Sequence, residues 1–290
     1  MIEAFEHYFG PYAFYEDGFK MIDVPYLGME HQSAVAYGNS YLKGYNGTST
    51  SPYGLLFDFI IIHEGAHEWW GNSVTAKDIA DLWIHESFGT YAENLFLEYH
   101  YGYDTALHYL NSKRQFVSNS SPIQGVYGVN HEGSRDMYWK GALMLNTLRS
   151  VVNDDKKWFE ALYNLSTHFK HKTTDYQEFL SFFNEQLGEN YFYLFDQYLK
   201  HADLPVFEVR IEVIGDQKKL GYKWNTDVEL SFRMPIVIQV GGKHIRLNPT
   251  NSFQSLDISE YDERSIEVNK DLFYVNSEVY YNYIDPNKKP

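Results

Sequence analysis

His63-Glu64-Gly65-Ala66-His67-Glu68-Trp69-Trp70-Gly71-Asn72 decides how this chain is read. The stretch follows the apolar run Phe57-Asp58-Phe59-Ile60-Ile61-Ile62 and closes on a Gly-Asn pair, so residues 55–70 read as a helix with a C-terminal stop. Residues four apart on a helix project from one face, which lets both imidazoles reach a single metal ion. Glu64 lies beside the first histidine, off the ligand face but close enough to hold a metal-bound water. Two surface histidines on a polar helix face would give the same letters. The apolar run ahead of the motif argues instead for a place inside the fold.

A catalytic zinc takes three protein ligands and keeps a fourth position open for water. The chain contains no cysteine, which removes thiolate ligands, a cysteine nucleophile and disulfides together. Any metal must therefore sit on histidines and carboxylates. The third ligand is offered by Trp83-Ile84-His85-Glu86-Ser87-Phe88, where Glu86 comes nineteen residues after His67. That is enough chain to finish one helix, cross a loop and begin the next. The expectation is one zinc ion per chain on His63, His67 and Glu86, with Glu64 as general base towards a zinc-activated water.

Around this site the helical period dominates as far as Leu204-Pro205. Residues 78–99 repeat apolar side chains at helical spacing, and 104–118, 138–152, 156–169 and 175–187 read as further helices. The last begins with the capping-box pattern Thr174-Asp175-Tyr176-Gln177 and stops at Gly188. The first 45 residues look mixed, with Ala34-Val35-Ala36-Tyr37 as an edge strand before a Gly/Ser/Asn-rich loop at 44–52. After Pro205 the period falls to two: residues 206–213 alternate apolar and polar, and 236–240 and 243–247 flank Gly241-Gly242 as a hairpin. The reading is an α+β chain, with a mainly helical catalytic domain over 1–204 and a small antiparallel β-sandwich over 205–290.

With 290 residues, two domains can each bury a core. A formal charge of −15 argues against nucleic acid, which requires a basic face. It favours cationic ligands instead, among them a peptide's α-ammonium group. The 18% of aromatic residues suits packed cores and aromatic-lined clefts. No run of apolar residues is long enough for a membrane helix. The opening Met-Ile-Glu-Ala-Phe-Glu has neither the basic nor the apolar region of a signal peptide and reads like the middle of a helix. Upstream sequence is therefore expected to be missing, and the compartment stays open.

The two metal-site stretches together resemble the gluzincin aminopeptidases of the aminopeptidase N type, whose pattern there is roughly H-E-x-x-H-x-W-F-G-N, then W-L-N-E-G-F. Leu27-Gly28-Met29-Glu30-His31 is similar to that family's G-A-M-E-N exopeptidase motif, and Met137-Tyr138-Trp139-Lys140-Gly141-Ala142 to its Y-x-K-G-A segment. The resemblance runs from about residue 5 to 203. It implies a thermolysin-like fold with a small sheet beside a helical lobe, and a β-domain after it. It also implies Tyr138 as stabiliser of the oxyanion and Glu30 as the carboxylate that pairs with the substrate's free α-ammonium group, beside Gly28 and Met29. Here Leu27-Gly28 stands for Gly-Ala and His31 for Asn, which bears on the first side-chain pocket. Family members usually carry a β-rich domain ahead of this motif, and its absence is the second reason to expect a truncated chain.

The function this implies is a zinc aminopeptidase acting on peptides with a free N-terminus. Its rivals are a thermolysin-type endopeptidase, an epoxide hydrolase and a non-catalytic peptide-binding or scaffold fragment. His85, which precedes the third ligand, is read as lying behind the ligands or at the surface. His7, His100, His131 and His201 lack ligand spacing and are read as structural. Asp78 and Asp81 are alternative partners for orienting a zinc histidine.

Overall fold

The computed structural model describes residues 1–228 and 232–284, and it divides into two compact units, Met1–Tyr191 and Phe192–Pro290. The first unit starts with helix α1 (Ile2–Phe9) and a three-stranded sheet of β1 (Met21–Asp23), β2 (Gly28–Met29) and β3 (Val35–Tyr37). Its order is β1-β3-β2, with β3 parallel to β1 and antiparallel to β2. The strand read from Ala34 to Tyr37 is thus central rather than an edge, and Val35, Ala36 and Tyr37 are all buried. Its apolar run lacks the alternation of a half-exposed strand because both of its faces are buried.

Helix α2 (Phe59–Ala66) carries the paired histidines. It is shorter than the 55–70 reading because Asp58 caps it, its carboxylate accepting from the backbone N–H of Ile60 at 3.1 Å. Asp58 also accepts from Asn39 Nδ2 at 2.8 Å and from the Tyr37 hydroxyl, which ties the helix start to β3. Strand β4 (Val74–Ala76) follows, then α3 (Trp83–Tyr101), α4 (Tyr103–Ser112), α5 (Trp139–Val152) and α6 (Asp155–His168). Strand β5 (Lys172–Thr174) pairs in parallel with β4. Helix α7 (Tyr176–Leu187) is capped by Asp175, which accepts from Glu178 N at 3.0 Å, and ends at Gly188 with φ 71°. The cap is therefore one residue later than the Thr174 reading.

Helix α3 is the spine of this unit, and thirteen of its nineteen residues are buried. Its buried set includes the polar Glu86, Ser87, Thr90, Glu93 and Asn94, so it is enclosed by its neighbours on most sides. Arg149 of α5 locks it in place: Nη1 and Nη2 reach the Glu98 carboxylate at 2.6 and 2.8 Å, while Nε and Nη2 reach Asp155 at 2.8 Å each. Among the described residues no helix is long and apolar enough to cross a membrane.

The second unit opens with α8 (Phe192–Lys200), then β6 (Val206–Ile214), β7 (Gln217–Asn225), β8 (Ile236–Val240), β9 (Lys243–Leu247), β10 (Gln254–Asp257), β11 (Glu267–Val268) and β12 (Asn276–Ile284). Helix α8 belongs here because the Tyr198 hydroxyl donates to Tyr274 O at 2.6 Å and Asp227 N donates to Gln197 Oε1 at 3.1 Å. The compact units accordingly meet at 191/192, whereas the change of sequence period falls at 204/205. The sheets run β10-β7-β6-β12 and β11-β8-β9. All pairs are antiparallel except β6 with β12, which are parallel over nine residues, so the sandwich is mixed rather than purely antiparallel. Local alternation sets which face a strand buries but not the direction of its neighbour.

Candidate active site

Helix α2 presents His63 and His67 one turn apart, and α3 brings Glu86 against them in its first turn. The two Nε2 atoms are 3.3 Å apart, and Glu86 Oε2 lies 3.5 Å from that of His63 and 3.4 Å from that of His67. All three residues are buried. The far nitrogens fix the chemistry of the near ones. His67 Nδ1 lies 2.8 Å from the Trp70 carbonyl, which can only accept, so Nδ1 carries the proton. His63 Nδ1 lies 2.8 Å from Glu93 Oε1, again an acceptor. Both Nε2 lone pairs therefore face Glu86 Oε2, a buried oxygen with no hydrogen-bond partner among the described residues.

With both rings neutral these three acceptors converge without a donor and repel one another unless a proton or a metal cation lies between them. Two imidazoles and a carboxylate are a donor set that suits zinc. Electrostatics point the same way. Burial would lower the pKa of both histidines, but Glu86, together with Glu93 at His63, outweighs it and raises both. Burial would raise Glu86, but the adjacent imidazoles carry it below the usual carboxylate range. The cluster draws positive charge to itself.

Glu93 was missed in the sequence, although a signal was present. It stands seven residues after Glu86 on α3, two turns on and so on the same face. It is fully buried and also accepts from the Tyr109 hydroxyl at 2.6 Å. The carboxylates weighed for this orienting role are elsewhere. Asp78 caps a short 3₁₀ turn, and Asp81 takes Trp83 Nε1 at 3.0 Å and the Tyr127 hydroxyl at 2.7 Å. His85 is not a surface group: its Nε2 accepts from Ala76 N at 2.8 Å, which pins β4 to α3, and burial lowers its pKa to about 4.

Glu64 is buried beside the histidines. Burial raises its pKa, His63 and His67 pull it down, and Glu30 and Glu86 add to the rise, which prevails. Glu30 follows β2, and its carboxylate lies within 4.8 Å of Glu64 and a His67 nitrogen. The loop that carries it is held by the same stretch that carries the histidines. Asn72 Nδ2 donates to Glu30 O at 2.9 Å, while Glu68 accepts from Ser33 N at 2.6 Å and from the Tyr12 hydroxyl at 3.0 Å. Gly28 lies against α2 so closely that a β-carbon there would stand 2.7 Å from Ile60 Cγ2 and 2.9 Å from Glu64 Oε1. Met29 is 43% exposed and does not line the cleft.

Tyr138 is the N-cap residue just ahead of α5, with its ring centroid 5.9 Å from that of His63. Burial and the Glu86 charge push its hydroxyl pKa well up, so it stays a proton donor. Gly28, His63, Glu64 and Tyr138 share one cleft of about 740 Å³, walled by Phe59, Ile60 and Trp139. The close fit of α3 to α2 depends on Gly89, where a β-carbon would lie 3.1 Å from His67 Cε1.

Known proteins resemble this chain in sequence and in fold. The model of the peptidase family M1 domain matches residues 1–198. A probable aminopeptidase 1 of Sulfurisphaera tokodaii is 24% identical over 89% of this chain and 36% of its own length. A leucyl aminopeptidase of Saccharolobus solfataricus is 23% identical over 97% of this chain and 38% of its own. The chain thus spans little more than a third of the length of these two relatives. Among solved structures, Legionella pneumophila aminopeptidase A superposes with a TM-score of 0.69 at 13% identity, covering 96% of this chain and 33% of that one. An M1 zinc metallopeptidase of Deinococcus radiodurans gives 0.55 at 22% identity, over 70% of this chain and 43% of that one. With the family model matched over more than half its length, this chain belongs to peptidase family M1.

Proposed function

We propose that this chain is a zinc-dependent aminopeptidase unit that hydrolyses the first peptide bond of a peptide. The observation that carries the reading is the convergence of Glu30, Glu64 and His67 within 4.8 Å beside the three-acceptor cluster. A carboxylate at that distance from the general base can pair with a free α-ammonium group and leave the first peptide bond beside Glu64. An endopeptidase would need that space for more chain, and an N-acetyl group would have no charge to offer Glu30.

His63, His67 and Glu86 would hold the metal, with Glu93 and the Trp70 carbonyl keeping the imidazoles in register. Bound zinc supplies Lewis-acid polarisation of the scissile carbonyl and lowers the pKa of the attacking water. Glu64 takes a proton from that water and delivers it to the leaving nitrogen, a role suited to a carboxylate whose pKa burial raises. Tyr138 donates a hydrogen bond to the carbonyl oxygen as negative charge builds there; losing one such donor costs about 3 kcal/mol of transition-state stabilisation. The low-dielectric walls of Phe59, Ile60 and Trp139 strengthen each of these interactions.

Zinc analysis run beside hydrolysis of aminoacyl-anilides with free and with acetylated amino groups tests the reading. The expected result is one zinc per chain and cleavage of the free form alone, abolished by Glu64→Gln. A well-folded sample without zinc overturns the site assignment. Equal cleavage of both forms overturns the aminopeptidase.

A further inference from the structure

The cleft has a second polar end that the mechanism above does not use. Lys113, at the C-terminus of α4, is 7% exposed yet lines the cleft. Its ammonium lies 4.8 Å from the Tyr109 ring centroid and 4.9 Å from that of Trp139. Among the described residues it forms no ion pair or hydrogen bond. Burial lowers its pKa from the ordinary lysine value, and the charge of Glu93 behind Tyr109 opposes that. Thr90 lines the same cleft, four residues after Glu86 on α3 and so about 6 Å along the helix axis. It is 1% exposed, and its hydroxyl has no hydrogen-bond partner among the described residues.

A buried hydroxyl without a partner and an ammonium that meets only aromatic faces, both lining one cavity, favour a ligand that supplies the acceptor. The charges of the lining identify that ligand. In a chain of net charge −15, the residues lining this cleft include two full cations, Lys113 and Arg135, against one carboxylate, Glu64. Glu30 gathers with Glu64 and His67 towards the end of α2, whereas Lys113 packs on Trp139, whose ring centroid lies 6.4 Å from that of Phe59 at the start of α2, so this end of the cavity lies away from the ammonium anchor. That is the side on which the leaving half of a peptide lies.

We propose that Lys113 and the Thr90 hydroxyl form a carboxylate-selecting subsite for the leaving half of the substrate. The carboxylate is either an acidic side chain on the second residue or the free C-terminus of a dipeptide. This rests on the aminopeptidase reading for the direction in which the peptide lies. A substrate of this kind spans the cleft with its ammonium on Glu30 and its carboxylate on Lys113, and the aromatic walls exclude the water that would otherwise screen the pair.

Calorimetric titration of the zinc-loaded Glu64→Gln protein with three peptides tests it: Leu-Asn-NH2, Leu-Asp-NH2 and Leu-Asn with a free C-terminus. At least one carboxylate peptide should bind about tenfold or more tightly than Leu-Asn-NH2, since a buried charged hydrogen bond contributes that much. Leu-Asp-NH2 alone identifies the side chain as the source, and Leu-Asn alone the C-terminus. Adding Lys113→Met, which keeps the apolar stem between the rings, should bring the ratio towards one. The near-isosteric Thr90→Val should lower it severalfold while melting like its parent, which guards against a Lys113 variant that fails to fold. A ratio near one in the starting protein, or one that survives Lys113→Met, overturns the subsite. Hydrolysis of Leu-Asn-NH2 by the wild-type chain keeps the two readings apart. Cleavage without carboxylate preference defeats the subsite alone, preference without cleavage defeats the peptidase alone, and absence of both binding and cleavage defeats both.

Discussion

Replacing Glu93 tests the zinc site without touching a ligand. Glu93 is fully buried and makes two hydrogen bonds, from His63 Nδ1 at 2.8 Å and from the Tyr109 hydroxyl at 2.6 Å. In Glu93→Gln the side-chain oxygen can still accept from His63, but the negative charge behind the imidazole is lost. Orienting carboxylates of this type contribute about 10–100-fold in metal affinity. Glu93→Leu removes both acceptors and leaves two buried donors unpaired. At about 1–3 kcal/mol for each, that variant loses at least about 2 kcal/mol of stability. Zinc affinity by competition with a chromogenic chelator, paired with urea unfolding of the metal-free proteins, separates the two effects. Glu93→Gln should lose affinity with a small change in stability, and Glu93→Leu should lose both. Wild-type zinc affinity in Glu93→Gln, with His63 still ordered by NMR, would refute the reasoning that this carboxylate sets the ligand's orientation and basicity.

Glu30→Gln should lower kcat/KM for free aminoacyl-anilides by about 10–100-fold, the range for a lost charge-assisted hydrogen bond, and should erase discrimination against the acetylated form. Retained discrimination would place the ammonium anchor elsewhere. Arg149→Met leaves Glu98 and Asp155 without their shared guanidinium and should cost about 3–5 kcal/mol in urea unfolding, because a half-buried carboxylate is stranded. The hydrogen bonds and charge of Arg149 hold the Asp155 pKa below the ordinary carboxylate value. A depressed carboxylate stabilises the fold above its unfolded pKa of about 3.9 and loses that contribution as pH falls through the lower folded value. The melting-temperature gap between wild type and Asp155→Asn should therefore be constant from pH 7 to 5 and close below pH 4. A gap independent of pH would show that Asp155 acts through packing alone.

Much of the candidate site was legible because it is built from short-range periodicity. His63 and His67 must share a face at a spacing of four, Glu64 must sit off that face, and Gly188 must stop α7 where only a left-handed residue fits. The α+β class and the change to strands near residue 205 follow from the same local patterns. What stayed hidden depends on partners distant in the chain. Glu93 reads as one more residue of a long helix until α2 is laid against it, and Glu68 reads as part of the histidine helix and Asn72 as its stop until the Glu30 loop docks on them. The central place of β3 and the parallel pairing of β6 with β12 are equally silent, since alternation along a strand records its buried face and not its neighbour's direction. Lys113 falls unremarked inside the helix read over 104–118, and only its packing between Tyr109 and Trp139 makes it a cation facing the cleft. The sequence by itself determined the candidate ligand set, the candidate general base and the period of each segment, because these rest on spacing along the chain. Only the tertiary structure decided which groups orient the ligands, how Glu30 is held and where the cleft carries positive charge, because each requires two elements to meet.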